Sequence, residues 1–248
     1  MPSAQSRRYG RTLLVDLRPE EAAVFANLGK TARQNIRVAG KRPVIVECAV
    51  DPSIAGRLSQ LQAETWKRTG AQSRPIDWVS RIELSKAEPH LSRVCVLRRT
   101  DRKGSDAIIA YAWGCMHGQI AEYASAATAT DLRRAGEQSI PACYPLVWDL
   151  MRWGRRNGAE WFDLGGVTAG TQKSADPLGG ISDFKRYFTQ NEVEVGQQWE
   201  LALLPARVAI AQAASTLARR GAALIGGRIW GAACVSSEFA ETLACFPV

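Results

Sequence analysis

Apolar and polar positions along the chain follow two alternating periods. TLLVDL (12–17) and PVIVECAV (43–50) carry the short apolar runs of strands. Between them DLRPEEAAVFANLGKTARQNIRVAGK (16–41) has helical spacing, with Asp16 or Arg18 near its cap and Pro19 and Glu20 in its first turn. SIAGRLSQLQAETWKRTG (53–70) is amphipathic, with Ile54, Leu58, Leu61 and Thr65 or Trp66 inward, and a weaker helix covers about 77–86. Three strand-like runs follow, 92–99, 107–116 and 119–126; TDRKGSD joins the first two and a tight turn at His117-Gly118 the last two. Residues 140–157 read as a helix with Leu146, Leu150 and Trp153 on one face and Gly158 as its stop. AEWFDLG (159–165) is a further strand, 180–188 a short helix, 192–204 a strand and 205–220 a basic amphipathic helix. The order is α+β, with a mixed central sheet flanked by helices. The expected organisation is a strand and basic helix (1–42) packing on a main domain (43–204), followed by a basic helix and tail (205–248).

Charge narrows the partners. The 248 residues carry 32 Lys and Arg against 24 Asp and Glu, a net charge of +8. That favours nucleic acid, phosphate or an anionic membrane surface as a partner without choosing among them. Arg33, Arg37 and Lys41, with Lys30, recur at helical spacing and share a face, either a solvated face or an anion-binding ridge. Arg155 and Arg156 form a second basic patch. Six scattered cysteines without a Cys-x-x-Cys pair read as reduced, buried thiols of a cytoplasmic protein. Two histidines, His90 and His117, argue against a zinc site, and neither a metal nor a cofactor is expected. MPSAQSRRYGR lacks the apolar core of a signal peptide, and no run of about 20 apolar residues spans a membrane.

Candidate chemistry concentrates in a few stretches. RRAGEQ (133–138) partly fits the pyrophosphate loop of acetyltransferases: Arg133 and Gly136 match, and Gln138 replaces a small residue. Such a loop aims N–H groups and a helix N-terminus at phosphate, and a plain loop is the competing reading. GGVTAGTQKS lacks the Lys-Ser/Thr of an ATP-binding loop, and no G-x-S-x-G is present. Asp163, at the end of a strand and before Gly165 and Gly166, is the acid whose position suggests a cleft, with loop bonding as the alternative. The polar, glycine-rich loop after it (168–179) offers little packing, so it is expected to be mobile until substrate orders it. Phe184, Tyr187 and Phe188 then follow i, i+3, i+4 spacing, with Lys185 at the edge of their apolar face. An ammonium fixed there can neutralise phosphate or a developing oxyanion.

The strand order suits the N-acetyltransferase-like (GNAT) architecture, in which two parallel central strands splay apart around an acyl donor. WFDLGG, a loop, GISDFKRYF and VEVGQQWELAL together resemble the end of the Fem family of aminoacyl-tRNA-dependent aminoacyltransferases. LLVDLRPEEAAVFANLGKTARQNIRVAGK, LQAETWKRTGA and the run from IIAYAWGCMHGQIAEYASA to WFDLGG agree in order, so the likeness covers about residues 12–202. The resemblance implies a GNAT-like fold, Lys185 as catalytic cation with Phe184 shaping its site, aminoacyl-tRNA as donor and amide formation on an amine acceptor. Asp163, Gly165, Gly166, Arg133 and Gly136 are the expected substrate-binding residues, and the two basic patches the expected tRNA-binding ones. Peptidoglycan-modifying members usually carry two such domains and this chain resembles the second. A small peptide or natural-product acceptor is therefore expected rather than a large cell-wall precursor. An acyl-CoA-dependent N-acyltransferase is the alternative.

Overall fold

The computed structural model describes residues 10–69, 75–130, 139–176 and 178–195, all within one compact unit of residues 5–196. The RRAGEQ loop, the strand expected beyond 195, the 205–220 helix and the tail lie outside the described residues. The elements run β1 (Arg11–Asp16), α1 (Glu21–Asn27), α2 (Lys30–Ala39), β2 (Val44–Cys48), α3 (Ala55–Thr69), α4 (Trp78–Ala87), β3 (Ser92–Arg99), β4 (Ile108–His117), β5 (Ile120–Thr128), α5 (Cys143–Arg156), β6 (Trp161–Val167), α6 (Gly179–Arg186) and β7 (Glu192–Glu194). Among the described residues no helix is long and apolar enough to cross a membrane.

The seven strands form one mixed sheet in the order β2-β3-β4-β5-β6-β1-β7. β2 to β5 are antiparallel neighbours, β5 and β6 are parallel, and β1 runs antiparallel to both β6 and β7. The strand of the 1–42 segment is thus hydrogen-bonded inside the main sheet. Alternate residues of one strand feed two cores, as the two-residue period requires. Cys95 and Leu97 of β3 join the larger core with Leu13, Val15, Leu146, Leu150, Phe162 and Phe188, under α1, α2 and α5. Val94 and Val96 face Leu58 and Leu61 of α3 and Trp78 and Ile82 of α4 on the other side. Thr65 is inward too: its hydroxyl donates to the Thr128 carbonyl at 3.2 Å and accepts from the Thr128 N–H at 3.1 Å. Cys95 is buried, and burial pushes its thiol well above the ordinary value and that of Cys115 up to about 11. Such thiols are poor nucleophiles.

The helix expected over 16–41 is two helices. Leu28 and Gly29 between them are extended, with ψ of 151° and 148°. The cause is long-range. The Gly29 N–H donates to the Phe188 carbonyl at 3.0 Å, and a Cβ on Gly29 would collide with the Tyr187 carbonyl. A glycine that admits this approach is also a poor helix former, so the break ties the start of α2 to the end of α6.

Two bulges open the middle of the sheet. β5 and β6 pair only at Ile120↔Trp161, Ala121↔Phe162 and Glu122↔Asp163. Just beyond, β5 pairs with β4 at Gly114↔Tyr123 and then Trp113↔Ser125, which leaves Ala124 unmatched. On β6, Leu14↔Asp163 is followed by Thr12↔Gly166, so Leu164 and Gly165 face Leu13 alone. An extra residue bends its strand and strengthens its twist. With one bulge on each strand immediately past the last shared pair, the two diverge.

Candidate active site at the divergence of the parallel strands

The β6 bulge explains DLGG in local terms. Gly165 has φ of 78°, a left-handed conformation that glycine adopts without steric cost. The Asp163 Oδ1 accepts the Gly165 N–H at 2.7 Å and the Thr12 hydroxyl of β1. The side chain thereby replaces the ladder bond that the bulge removes. The Gly166 carbonyl beyond it accepts a hydrogen bond from the Lys185 Nζ at 2.9 Å. A Cβ on Gly165 would lie 3.2 Å from that Nζ and 3.8 Å from the Tyr123 carbonyl of β5. The ammonium therefore stands where the strands part.

Lys185 was expected at the rim of an apolar face. The structure buries it, with 8% of its surface exposed. Burial pushes its ammonium down to about 8, against the pull of Asp163 and then Glu122. α6 holds it by three aromatic rings. Phe188 is fully buried and Phe184 partly so, and Tyr144 of α5 packs on both, its ring 5.1 Å from Phe184 and 5.5 Å from Phe188. Tyr187, grouped with them by spacing, is 40% exposed and lies outside this cluster. The helix is eight residues long, so only part of its circumference meets the core.

Residues 171–175 of the loop are exposed, as their composition predicts, yet the loop is hydrogen-bonded to α6 at several points. Arg186 turns away from Lys185 and donates to the Gly170 carbonyl at 3.1 Å, to the Thr168 carbonyl, and to Glu192 at 2.9 Å. Ser182 accepts the Thr168 N–H at 3.0 Å, and Asp183 accepts that of Gln172 at 2.8 Å. Gly179 approaches the Thr171 backbone too closely for any Cβ. The helix that carries the lysine is the anchor of the loop that precedes it.

Lys185, Phe184, Asp163, Gly165 and Gly166 come together at this point, whereas Arg133 and Gly136 lie outside the described residues. Asp163 directs its Oδ1 into the bulge. Arg33 and Arg37 of α2 and Lys41 just past it, with Lys30, Gln34 and Val38, line a groove of about 540 Å³ that does not include Lys185. At the end of α5, Arg155 donates to the Pro19 carbonyl at 2.7 Å and pairs with Glu20 at 3.1 Å, while Arg156 is exposed. Sequence reasoning missed Glu122. It faces Asp163 across the parallel pair and its carboxylate is 3.2 Å from the His117 Nε2. An acid in the apolar strand IAEYASA was its one signal.

An ammonium held on a backbone carbonyl where two strands part can stabilise negative charge on a reacting carbonyl. Comparison with known proteins gives the fold and the family. FemX has the same fold, with a TM-score of 0.59 at 16% identity over 73% of this chain and 60% of that one. L-PGS from Bacillus licheniformis follows at 0.50 and 13% identity, over 82% of this chain and 63% of that one. This chain therefore spans less than two thirds of the length of either, and at these identities the likeness is one of fold. No curated protein sequence matches the chain. Residues 26–186, more than half of the sequence, match the acetyltransferase (GNAT) domain, and the chain belongs to that family.

Proposed function

We propose that the protein is an aminoacyltransferase that moves an amino acid from aminoacyl-tRNA to an amine acceptor, forming an amide. The observation that carries this reading is the Lys185 ammonium, buried and fixed on the Gly166 carbonyl where β5 and β6 part. The likeness of GISDFKRYF and its surroundings to the Fem family supports the choice of donor. The acceptor nitrogen attacks the ester carbonyl and a tetrahedral oxyanion forms; the C–O bond to the ribose then breaks, the ribose oxygen takes a proton from Lys185, and the nitrogen returns one to the lysine amine. Lys185 stabilises the oxyanion as its charge grows. With its proton held at a pKa of about 8, the ammonium is still charged at neutral pH, and it gives up that proton to the leaving oxygen more readily than an exposed lysine. The acceptor is a small peptide, a natural-product amine or a small cell-wall precursor, and the protein acts in the cytoplasm.

The α2 ridge supports a nucleic-acid donor. Four cations line one groove, and α2 is joined to the catalytic helix through Gly29 and Phe188. Phosphate neutralisation makes binding fall steeply with salt. Replacing Arg33, Arg37 and Lys41 with Glu should weaken aminoacyl-tRNA binding and flatten its salt dependence. The deciding assay offers the purified protein a pool of charged tRNA and, separately, acetyl-CoA, each with candidate amines. Family membership favours one second reading, an acyl-CoA-dependent N-acyltransferase. Saturable acetyl-CoA binding and acetyl transfer, with no tRNA binding at low salt, would establish that reading instead.

A further inference from the structure

We infer that Asp163 is a positioning residue for Lys185: it holds the bulge that sets the Gly166 carbonyl against the ammonium, and it is that ammonium's fixed counter-charge. The inference rests on the reading that Lys185 is the working cation. It moves Asp163 from substrate contact to support of another side chain.

The geometry has two parts. First, the Asp163 Oδ1 is already committed, to the Gly165 N–H at 2.7 Å and to the Thr12 hydroxyl. Both bonds fix the three residues of β6 that end in the carbonyl receiving Lys185. Second, a buried ammonium is costly without an opposite charge nearby. Asp163 on β6 and Glu122 on β5 are paired in register, and the charge of each favours the charged form of Lys185. Glu122 is 44% exposed at its side chain and lies beside the His117 imidazole, whereas Asp163 is locked by two hydrogen bonds. Asp163 is also the stronger of the two in raising the Lys185 pKa against burial. The elements around it also carry Tyr123 on β5, Tyr144 on α5, and Asp183 and Arg186 on α6 itself. Burial pushes the Tyr144 phenol up to about 12, so it stays neutral while Lys185 titrates. Arg186 and Asp183 are engaged with the 168–179 loop.

Charge and shape can be separated because asparagine keeps an acceptor oxygen for Gly165 and Thr12 and loses only the charge. The test follows the Lys185 side chain by lysine-selective carbon NMR from about pH 6 to about pH 10, with Lys185→Met assigning the signal. In the wild type the midpoint should lie near 8. In Asp163→Asn it should fall by about one pH unit or more, because a neighbouring opposite charge is removed. Thr12→Val loosens the bulge without removing charge, so its midpoint should fall less than that of Asp163→Asn. Glu122→Gln should also leave it nearly in place. An unmoved midpoint in Asp163→Asn overturns the inference, whatever reaction the protein performs. A fall of about one pH unit or more in Glu122→Gln gives the counter-charge to Glu122 and overturns it equally, even if Asp163→Asn does not fold. In a working transfer assay the alkaline limb of kcat/KM should move down with the midpoint in Asp163→Asn. A shifted midpoint in a protein that transfers nothing from charged tRNA supports the role of Asp163 and removes only the proposed function.

Discussion

Replacing Lys185 with methionine separates its charge from its bulk, and the structure sets the size of each effect. Methionine keeps most of the aliphatic stem between Gly165 and the aromatic cluster and removes the ammonium. Loss of one preorganised electrostatic group typically lowers kcat by about 100- to 1,000-fold. Stability should respond differently. Depression of the lysine from 10.5 to about 8 means that the folded state disfavours the charged form by about 3 kcal/mol. Methionine relieves that penalty but leaves the Gly166 carbonyl without the donor 2.9 Å away, at a cost of about 1–3 kcal/mol. Near pH 7 the two nearly cancel or favour the variant. The sign then changes with pH. Between about 8 and 10.5 the unfolded wild type holds a proton that the folded protein has lost, so wild-type stability gains on that of the variant as pH rises. Above that window the amine is neutral in both states and only the hydrogen bond separates the two proteins, now in favour of wild type. Denaturant unfolding of both proteins across this range, with turnover measured on charged tRNA, checks every step. Full turnover by Lys185→Met would reduce the lysine to packing. A variant clearly less stable at pH 7, with no crossover at high pH, would refute the balance of burial against hydrogen bonding.

The aromatic cluster gives a second test: Phe188→Ala, at a fully buried ring, should cost about 3–5 kcal/mol. Phe184→Ala should cost less, because that ring is only partly buried, and thermal denaturation will rank the pair. Arg186→Gln should raise amide hydrogen exchange across residues 168–176 while α5 stays protected, since it removes donors to the Thr168 and Gly170 carbonyls. Unchanged exchange there would show that the loop does not depend on Arg186.

Patterns that repeat within one element were legible in the sequence, and features created by contact between distant elements were not. Leu146, Leu150 and Trp153 could be assigned to a buried helix face because their spacing alone decides it. The break at Leu28-Gly29 could not, because the reason for Gly29 is the carbonyl of Tyr187. Spacing placed Tyr187 with Phe184 and Phe188, but only the two phenylalanines make ring contacts with Tyr144, and Tyr187 stays 40% exposed. At the site, an aspartate two positions before a glycine was a local signal for side-chain bonding to the backbone, and it reads correctly in DLGG. Glu122 needed the register of the parallel strands, which no local pattern encodes. The depth of Lys185 likewise depends on how far two bulges part β5 from β6.

The place of β1 has a consequence for how the protein comes to be active as it is made. Thr12 and Asp163 are 151 positions apart. At about 5–20 residues per second of synthesis, β1 leaves the ribosome roughly 8 to 30 seconds before its partner β6 exists. Through that interval Leu13, Val15 and Leu17, all buried in the finished core, have no strand to lie beside. The growing chain thus carries an unmatched strand edge from β1 onward, the kind of surface that invites wrong pairing or a chaperone. When β6 does arrive, β1 slots in against it and the Thr12 hydroxyl reaches Asp163. The strand that waits longest supplies one of the two bonds that shape the seat of the lysine. A nascent chain interrupted before β6 and α6 holds four antiparallel strands and their helices, but no place for a buried charge. The seat of Lys185 therefore forms only after β6 and α6 have joined the earlier strands.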